Sequence, residues 1–212
     1  IYYNTIFYTS LRADSIEEDG SMKDKHYLSR ILYQELLKGS KAKQLRISSS
    51  SKLDLSNKNW ANFYLDEKSK NAYFSICDTN NKCQIWTGEY DSEKIEVKNA
   101  KALNRNINDP SSNNPQAQLI RLDEENYLLF VSNRERGFGG YDIWIAKQED
   151  FGFDEALNLG SIINTEGNEI SPFFHNESKS LFFSSNWHNG FGGFDNFQAL
   201  GNIKNINSIK NL

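Results

Sequence analysis

A six-residue motif that could bind phosphate or calcium occurs twice, at residues 137–142 and 190–195. It reads Gly-Phe-Gly-Gly, an aromatic residue and Asp. A phosphate loop needs a following helix and usually a lysine, and a calcium loop needs several oxygen ligands in a fixed pattern; the sequence has neither. We therefore expect a structural turn, in which the glycines permit positive φ and the aspartate accepts backbone N–H bonds. The residues assigned to this turn are Gly137, Gly139, Gly140, Asp142, Gly190, Gly192, Gly193 and Asp195.

The two cysteines, Cys77 and Cys83, bracket a short polar segment that is typical of a hairpin loop. Residues that flank such a loop face each other at roughly disulfide distance, so we favour a disulfide over two reduced, buried thiols. A disulfide would imply an oxidising compartment. Four zinc ligands cannot be assembled from this pair and three scattered histidines, so we predict no metal and no cofactor.

Paired carboxylates, which glycosidases use, are the main catalytic alternative. Aspartate and glutamate are plentiful, but most lie in polar turns such as residues 123–125, where a solvated charge is the default. The sequence shows no arginine cluster, no Gly-x-Ser-x-Gly elbow, and no nucleophile paired with His26, His175 or His188. We therefore predict that the chain is not an enzyme.

Side chains in the two glycine-containing loops are candidates for binding. Arg134 and Arg136 precede the first motif, and Trp187 and His188 precede the second. Exposed aromatic and arginine side chains are the usual anchors of protein interfaces, and aromatic faces also stack on sugars. These four are the predicted binding residues. The phenylalanine at the second position of each motif is instead expected to tuck beneath its own turn.

The two motifs belong to a longer repeat, in which residues 129–144 are echoed by residues 182–197 about 53 positions later. That period is near those of propeller blades. Weaker copies lie at residues 72–86 and 6–34. Each copy predicts a small antiparallel meander, with short aromatic and aliphatic strands between polar or glycine turns. Residues 27–38 also fit helical spacing, but the repeat register favours a strand there.

Small sheets with two apolar faces must cover each other, which predicts an all-β fold, a β-propeller of four-stranded antiparallel blades. About four blades are visible, approximately residues 1–53, 54–104, 105–162 and 163–212, with the first and last incomplete. We expect them to form part of a larger ring, with a compact four-bladed ring as the alternative.

The composition restricts the partners of the chain. The 24 basic and 28 acidic residues give a net charge of −4, and the lysines are scattered. Nucleic acid is therefore an unsuitable partner, because phosphate binding needs a concentrated basic face. We also expect no membrane-spanning segment, because no apolar run approaches the roughly 18 residues that a membrane helix needs. The first residue is isoleucine, which predicts a processed product or an excised piece.

Three segments of the last repeat, residues 164–175, 179–186 and 190–195, carry a family resemblance. They resemble the PD40 or WD40-like propeller repeat, which is similar to the TolB-type propeller. The resemblance is greatest to envelope proteins of Gram-negative bacteria. In that group the propellers sit beside tetratricopeptide repeats and OmpA-like peptidoglycan-binding domains, and some belong to type IX secretion and gliding machinery.

This resemblance implies a non-catalytic scaffold that binds other envelope proteins, in the periplasm or at the outer membrane, within a secretion or gliding assembly. Any contact with peptidoglycan would come from domains outside this chain. A propeller that binds glycan or peptidoglycan is the alternative reading, and a propeller glycoside hydrolase is the less favoured one.

Overall fold

The computed structural model describes residues 4–13, 27–36, 40–51, 54–55, 57–201, 203 and 210–211. These residues form short strands joined by turns, with almost no helix. The chain divides into two compact units, Ile1–Ala102 and Leu103–Leu212. Within the described ranges, no helix is long and apolar enough to cross a membrane.

Unit 1 contains two sheets. Its strands are β1 (Thr5–Ala13), β2 (Tyr27–Glu35), β3 (Lys43–Gln44), β4 (Arg46–Ser49), β5 (Asn59–Asp66), β6 (Asn71–Cys77), β7 (Cys83–Asp91) and β8 (Glu96–Ala102). The first sheet has the order β1-β2-β3 and the second β4-β8-β7-β6-β5. Neighbouring strands are antiparallel except β4, which runs parallel to β8. Strand β4 thus joins the second sheet, although it precedes the expected blade boundary at residue 54.

Unit 2 also contains two sheets. Its strands are β9 (Gln116–Leu122), β10 (Glu125–Ser132), β11 (Asp142–Glu149), β12 (Gly152–Phe153), β13 (Leu157–Asn158), β14 (Glu169–His175), β15 (Ser180–Ser185), β16 (Asp195–Leu200) and β17 (Lys210–Asn211). One sheet has the order β12-β11-β10-β9, with β13 also paired to β11, and the other has the order β14-β15-β16-β17.

The strand predicted after residue 26 is confirmed. Strand β2 pairs antiparallel with β1 along its whole length, from Thr5 opposite Glu35 to Ala13 opposite Tyr27. Ile31 and Leu32 are buried in this strand. The helical spacing is overridden because a partner strand satisfies the backbone and the sheet buries these side chains.

Each unit buries its apolar residues between its own two sheets. The core of unit 2 joins residues of β9, β10 and β11 to Phe174, Leu181 and Phe183 of the following sheet. The core of unit 1 joins Ile31 and Leu45 to residues of β5, β6 and β7. Small antiparallel sheets that cover each other in this way are propeller blades, so the predicted all-β propeller fold is confirmed.

Candidate functional site

Four connections of unit 2 meet at one end of its sheets, and we call them the loop end. They are residues 104–114 before β9, 133–141 between β10 and β11, 159–168 before β14, and 186–194 between β15 and β16. The second and fourth of these are the glycine loops, since each contains one copy of the glycine motif. All four residues predicted to bind a partner therefore lie at the loop end.

An asparagine ties each glycine loop to the connection before it. The Asn133 side-chain oxygen accepts the Asn113 N–H at 2.6 Å, and the Asn186 side-chain oxygen accepts the Asn168 N–H at 2.8 Å. The backbone N–H of each loop asparagine donates in return to the carbonyl of the same partner, at 3.3 Å in both cases. The sequence analysis assigned no role to these asparagines, although they occupy the same place in both repeats.

The aspartate of each motif closes its own turn. Asp142 Oδ2 accepts the Phe138 N–H at 2.6 Å, and Asp195 Oδ2 accepts the Phe191 N–H at 2.7 Å. The carboxylate thereby satisfies a backbone donor at the start of the motif, as an Asp side chain commonly does in a turn.

Two of the three glycines of the second motif, Gly192 and Gly193, match the expectation of positive φ, and Gly190 does not. Gly192 has a φ of 107° and Gly193 a φ of 69°. A Cβ built on either residue would meet nothing within 4 Å among the described residues. Glycine is required at these positions by the backbone conformation alone, since L side chains rarely adopt it.

For the first motif the expectation of positive φ is wrong. Positive φ occurs there at Arg136, at 67°, and at none of the three glycines. A Cβ on Gly139 would overlap the backbone of Glu166, and one on Gly140 would overlap the side chain of Asn168. These glycines are required because the 159–168 connection packs directly against them.

Asp142 lies in an unfavourable environment for a charged carboxylate. Its side chain is fully buried, and within the described part of the chain its Oδ1 has no hydrogen-bond partner. Burial raises the pKa of Asp142, and the nearby charge of Glu169 raises it further. Hydrogen bonds from the Phe138 N–H and the Asn158 amide act in the opposite direction.

Glu169, at the start of β14, is also fully buried but is well supplied with donors. Its carboxylate accepts hydrogen bonds from the Thr165 N–H at 2.7 Å, the Thr165 hydroxyl at 2.6 Å and the Ser185 hydroxyl at 2.6 Å. These three donors supply both oxygens of the Glu169 carboxylate. Asp142 and Glu169 are therefore two neighbouring buried carboxyl groups, and of these two only Glu169 has both oxygens hydrogen-bonded among the described residues. Because both are buried, they position the loops and are not exposed to a ligand.

Arg134 is half-buried, and its guanidinium is held by contacts within the protein. Its guanidinium donates to the carbonyls of Asn106 at 2.8 Å and Ile107 at 2.6 Å, and it lies over the rings of Phe130 and Trp144. Burial lowers the pKa of Arg134. The side chain therefore fixes the 104–114 connection to the sheet, whereas the neighbouring Arg136 is exposed.

Trp187 and His188 also differ in exposure, Trp187 being the exposed residue and His188 the half-buried one. The Trp187 side chain is 61% exposed. The His188 ring contacts the rings of Phe183 and Phe197, with centroids 5.7 and 5.0 Å away, and its Nε2 lies 2.9 Å from the Ile163 carbonyl oxygen. His188 therefore anchors the loop, and Trp187 projects from it. His26 lies outside the described residues.

The expectation that the motif phenylalanines tuck beneath their turns is wrong. Phe191 is fully exposed and Phe138 is 49% exposed. The space beneath each turn is occupied by the aspartate carboxylate, which lies against the first glycine of the motif. The phenylalanine rings are therefore directed outward.

Cys77 and Cys83 form a disulfide in unit 1, where they lie opposite each other at the ends of β6 and β7. Asp78 closes the loop between them, since its side chain accepts the N–H groups of Asn80 and Lys82 at 2.9 and 3.0 Å. This loop lacks the glycine motif. Within the described ranges, no cluster of three or more His, Cys, Asp or Glu side chains could hold a metal ion.

Comparisons with known proteins place the chain by fold. No family model and no curated protein matches it. An α-L-arabinofuranosidase from Lactobacillus brevis aligns with 97% of this chain and 68% of its own, at 9% identity and a TM-score of 0.53. A thermostable family-43 glycoside hydrolase aligns with 99% of this chain and 72% of its own, at 12% identity and a TM-score of 0.54. An endo-arabinase from Bacteroides thetaiotaomicron aligns with 93% and 71%, at 14% identity and a TM-score of 0.54.

These likenesses correct the predicted family. The assignment to PD40 or TolB-type repeats, and with it the association with OmpA-like proteins and type IX secretion, is wrong, because these three solved propellers are glycoside hydrolases. The repeat that suggested PD40 consists of apolar strands and glycine turns. Such residues are what a blade needs to fold, so they indicate the architecture and not the family.

The predicted non-catalytic role is corrected by the same finding. The three solved propellers that this chain resembles in fold are an arabinofuranosidase, a glycoside hydrolase and an endo-arabinase, so the likeness is to enzymes and not to a protein-binding scaffold. At 9–14% identity the comparison shows the fold alone.

Proposed function

We propose that this chain is a propeller glycoside hydrolase. The observation that carries the proposal is the likeness in fold, over 93–99% of the chain, to an arabinofuranosidase, a family-43 glycoside hydrolase and an endo-arabinase. The loop end of unit 2 supports it, because exposed aromatic rings and carboxylates occur there together. Aromatic faces can hold a sugar ring, and carboxyl groups can perform the acid–base steps of glycoside cleavage.

Glycoside hydrolysis needs one carboxylic acid to protonate the leaving oxygen and a second carboxylate to act as base or nucleophile. Both must touch the substrate or a water molecule beside it. Asp142 and Glu169 are fully buried, so we assign them a positioning role. The exposed glutamates of the loop end, Glu135 and Glu166, are the better candidates for contact with substrate.

Glu166 is the candidate for the general acid because of its place between the two glycine loops. A Cβ on Gly139 of the first loop would overlap the Glu166 backbone, and a Cβ on Gly167 would lie 2.6 Å from the Trp187 Cβ. The segment that carries Glu166 therefore packs against both loops. On either side of Glu166, Thr165 hydrogen-bonds to Glu169 and Gly167 packs against Trp187, so both chain neighbours of the exposed carboxylate have fixed positions.

The test is hydrolysis of chromogenic arabinofuranosides, xylosides and galactosides, together with release of reducing sugar from arabinan. We expect turnover by the wild-type protein and a loss of about 100-fold or more in kcat for Glu166→Gln, as is usual when a general acid is removed. Glu177→Gln is the matched control, because Glu177 is an exposed glutamate beyond the other end of the same strand, β14.

Two results would contradict these assignments. Absence of turnover on every glycoside would contradict the proposed function. Turnover that is unchanged in Glu166→Gln, or lost equally in Glu177→Gln, would contradict the role of Glu166 and leave the hydrolase proposal standing.

A further inference from the structure

We infer that Trp187 and Phe191, together with Phe138 on the other glycine loop of the loop end, form a binding platform for a neutral polysaccharide chain. Phe191 is fully exposed, and Trp187 and Phe138 are each about half or more exposed. Large aromatic rings are normally buried, and a group of them at one end of a unit marks a binding surface. The loops that carry them pack on the same connection, residues 159–168.

The platform rings are carried by a backbone that is already fixed. The Trp187 N–H donates to the Ser185 hydroxyl at 3.1 Å, and the Phe191 N–H donates to Asp195 at 2.7 Å. Between them the His188 ring is packed onto Phe183. A loop held in this way loses little conformational freedom when a ligand binds, which favours affinity.

The aromatic rings and polar groups of this surface suit a sugar as the ligand. The aliphatic C–H face of a sugar ring fits against the face of an aromatic ring, and its hydroxyl groups need hydrogen-bonding partners at the edge. Exposed Asn189 and Glu135 on the glycine loops, and exposed Glu166 on the connection against which both loops pack, provide amide and carboxylate groups.

The charges favour a neutral sugar over an acidic one. The Arg134 guanidinium is engaged by the carbonyls of Asn106 and Ile107, so it does not serve a ligand. Arg105 and Arg136 are exposed at the loop end, but Glu135 and Glu166 are exposed there as well, so the exposed cations are not in surplus. A polyuronate would need a surplus of cationic groups to bind, and these loops do not provide one.

The choice of ligand rests on the proposed function, but the test does not depend on hydrolysis. We would measure retardation of the folded protein in native gels that contain arabinan, xylan or galactan, and in parallel gels that contain polygalacturonate. The variants are Trp187→Ala and Phe191→Ala. The control is Phe151→Ala, because Phe151 is equally exposed but lies in the turn between β11 and β12. Circular dichroism would establish that all the variants are folded.

We expect at least one neutral polysaccharide to retard the wild-type protein and Phe151→Ala, and affinity to fall about tenfold or more in each platform variant, as loss of a buried aromatic contact predicts. Absence of retardation, retardation by polygalacturonate alone, or an equal loss in Phe151→Ala would overturn the inference. Self-association that is abolished by Trp187→Ala would also overturn it, because the rings would then serve a protein interface. Binding without hydrolysis would contradict the proposed function only.

Discussion

The two glycine loops of unit 2 have nearly the same sequence and different surroundings. Both are tied by an asparagine to the connection before them and closed by the motif aspartate. The first loop is also covered by residues 165–168, which lie against Gly139 and Gly140. Among the described residues nothing corresponding lies against Gly192 and Gly193. The motif therefore specifies the turn, and the neighbouring segment decides how the same residues are used.

The difference extends to the side chains at equivalent positions. Arg134 and Trp187 occupy the same place in the repeat, since each lies three residues before the first glycine of its motif. Arg134 turns inward to two backbone carbonyls, whereas the Trp187 ring remains exposed. This repeat position therefore stabilises the fold in the third predicted blade, where it is Arg134, and is available for binding in the fourth, where it is Trp187.

The largest effect should come from alanine at the third position of each motif. We expect Gly139→Ala to lower the free energy of unfolding by about 3 kcal/mol, because its Cβ would overlap the Glu166 backbone, which cannot move without separating the loop from the connection. Gly192→Ala should cost only about 1 kcal/mol, through strain at its positive φ. Urea denaturation of both variants measures the difference. Equal losses would show that the covering segment is not what makes Gly139 necessary.

A smaller effect is expected at the position shared by Arg134 and Trp187. Arg134→Ala should lower the free energy of unfolding by about 2 kcal/mol, because two backbone carbonyls lose a charged donor. Trp187→Ala should change it by no more than about 0.5 kcal/mol, as for most exposed side chains. Chemical denaturation of the two variants would test this contrast. Comparable destabilisation would mean that the Trp187 ring supports the fold.

The smallest effect concerns pH and the two motif aspartates. Burial raises the pKa of Asp142 above its ordinary value of 3.8, so the folded state binds the proton more tightly than the unfolded state. The wild-type protein should therefore lose stability as pH rises from about 3.8 through the raised pKa. Asp142→Asn removes this loss, so its melting temperature relative to wild type should increase over that pH range.

Asp195→Asn is the matched control for that measurement, because the Asp195 side chain closes the corresponding turn of the second motif but is only half buried. Thermal melting of both variants and the wild type, followed at several pH values, provides the comparison. If both variants showed the same pH dependence relative to wild type, burial beneath the first loop would not be the cause.

Much of the fold could be predicted from the local pattern. The repeat located the hairpins of β10 with β11 and β15 with β16, because alternation and glycine turns are properties of neighbouring residues. It also identified β2 as a strand against its helical spacing. The parallel pairing of β4 with β8 could not be predicted in this way, since it joins segments about 50 residues apart.

The candidate site was predicted only in part. The sequence analysis selected Arg134, Arg136, Trp187 and His188, and the structure brings all four to the loop end. It did not distinguish Arg134 and His188, whose side chains are bound within the protein, from the exposed pair. It also placed the motif phenylalanines beneath their turns, where the aspartate carboxylates lie. No sequence pattern pointed to Glu166 or Glu169, because their roles depend on the packing of the 159–168 connection against the first glycine loop, which is distant from it in sequence.

By itself, the sequence determined the all-β architecture, the position of most hairpins and the closure of each glycine turn by its aspartate, because these follow from residue periodicity and from hydrogen bonds within a few residues. Only the tertiary structure decided which glycines are needed for space and which for positive φ, which buried carboxyl oxygen has no hydrogen-bond donor among the described residues, and which aromatic rings face solvent. Those properties depend on segments that packing between sheets brings together, and the spacing of residues along one strand or turn does not indicate which segments will pack together.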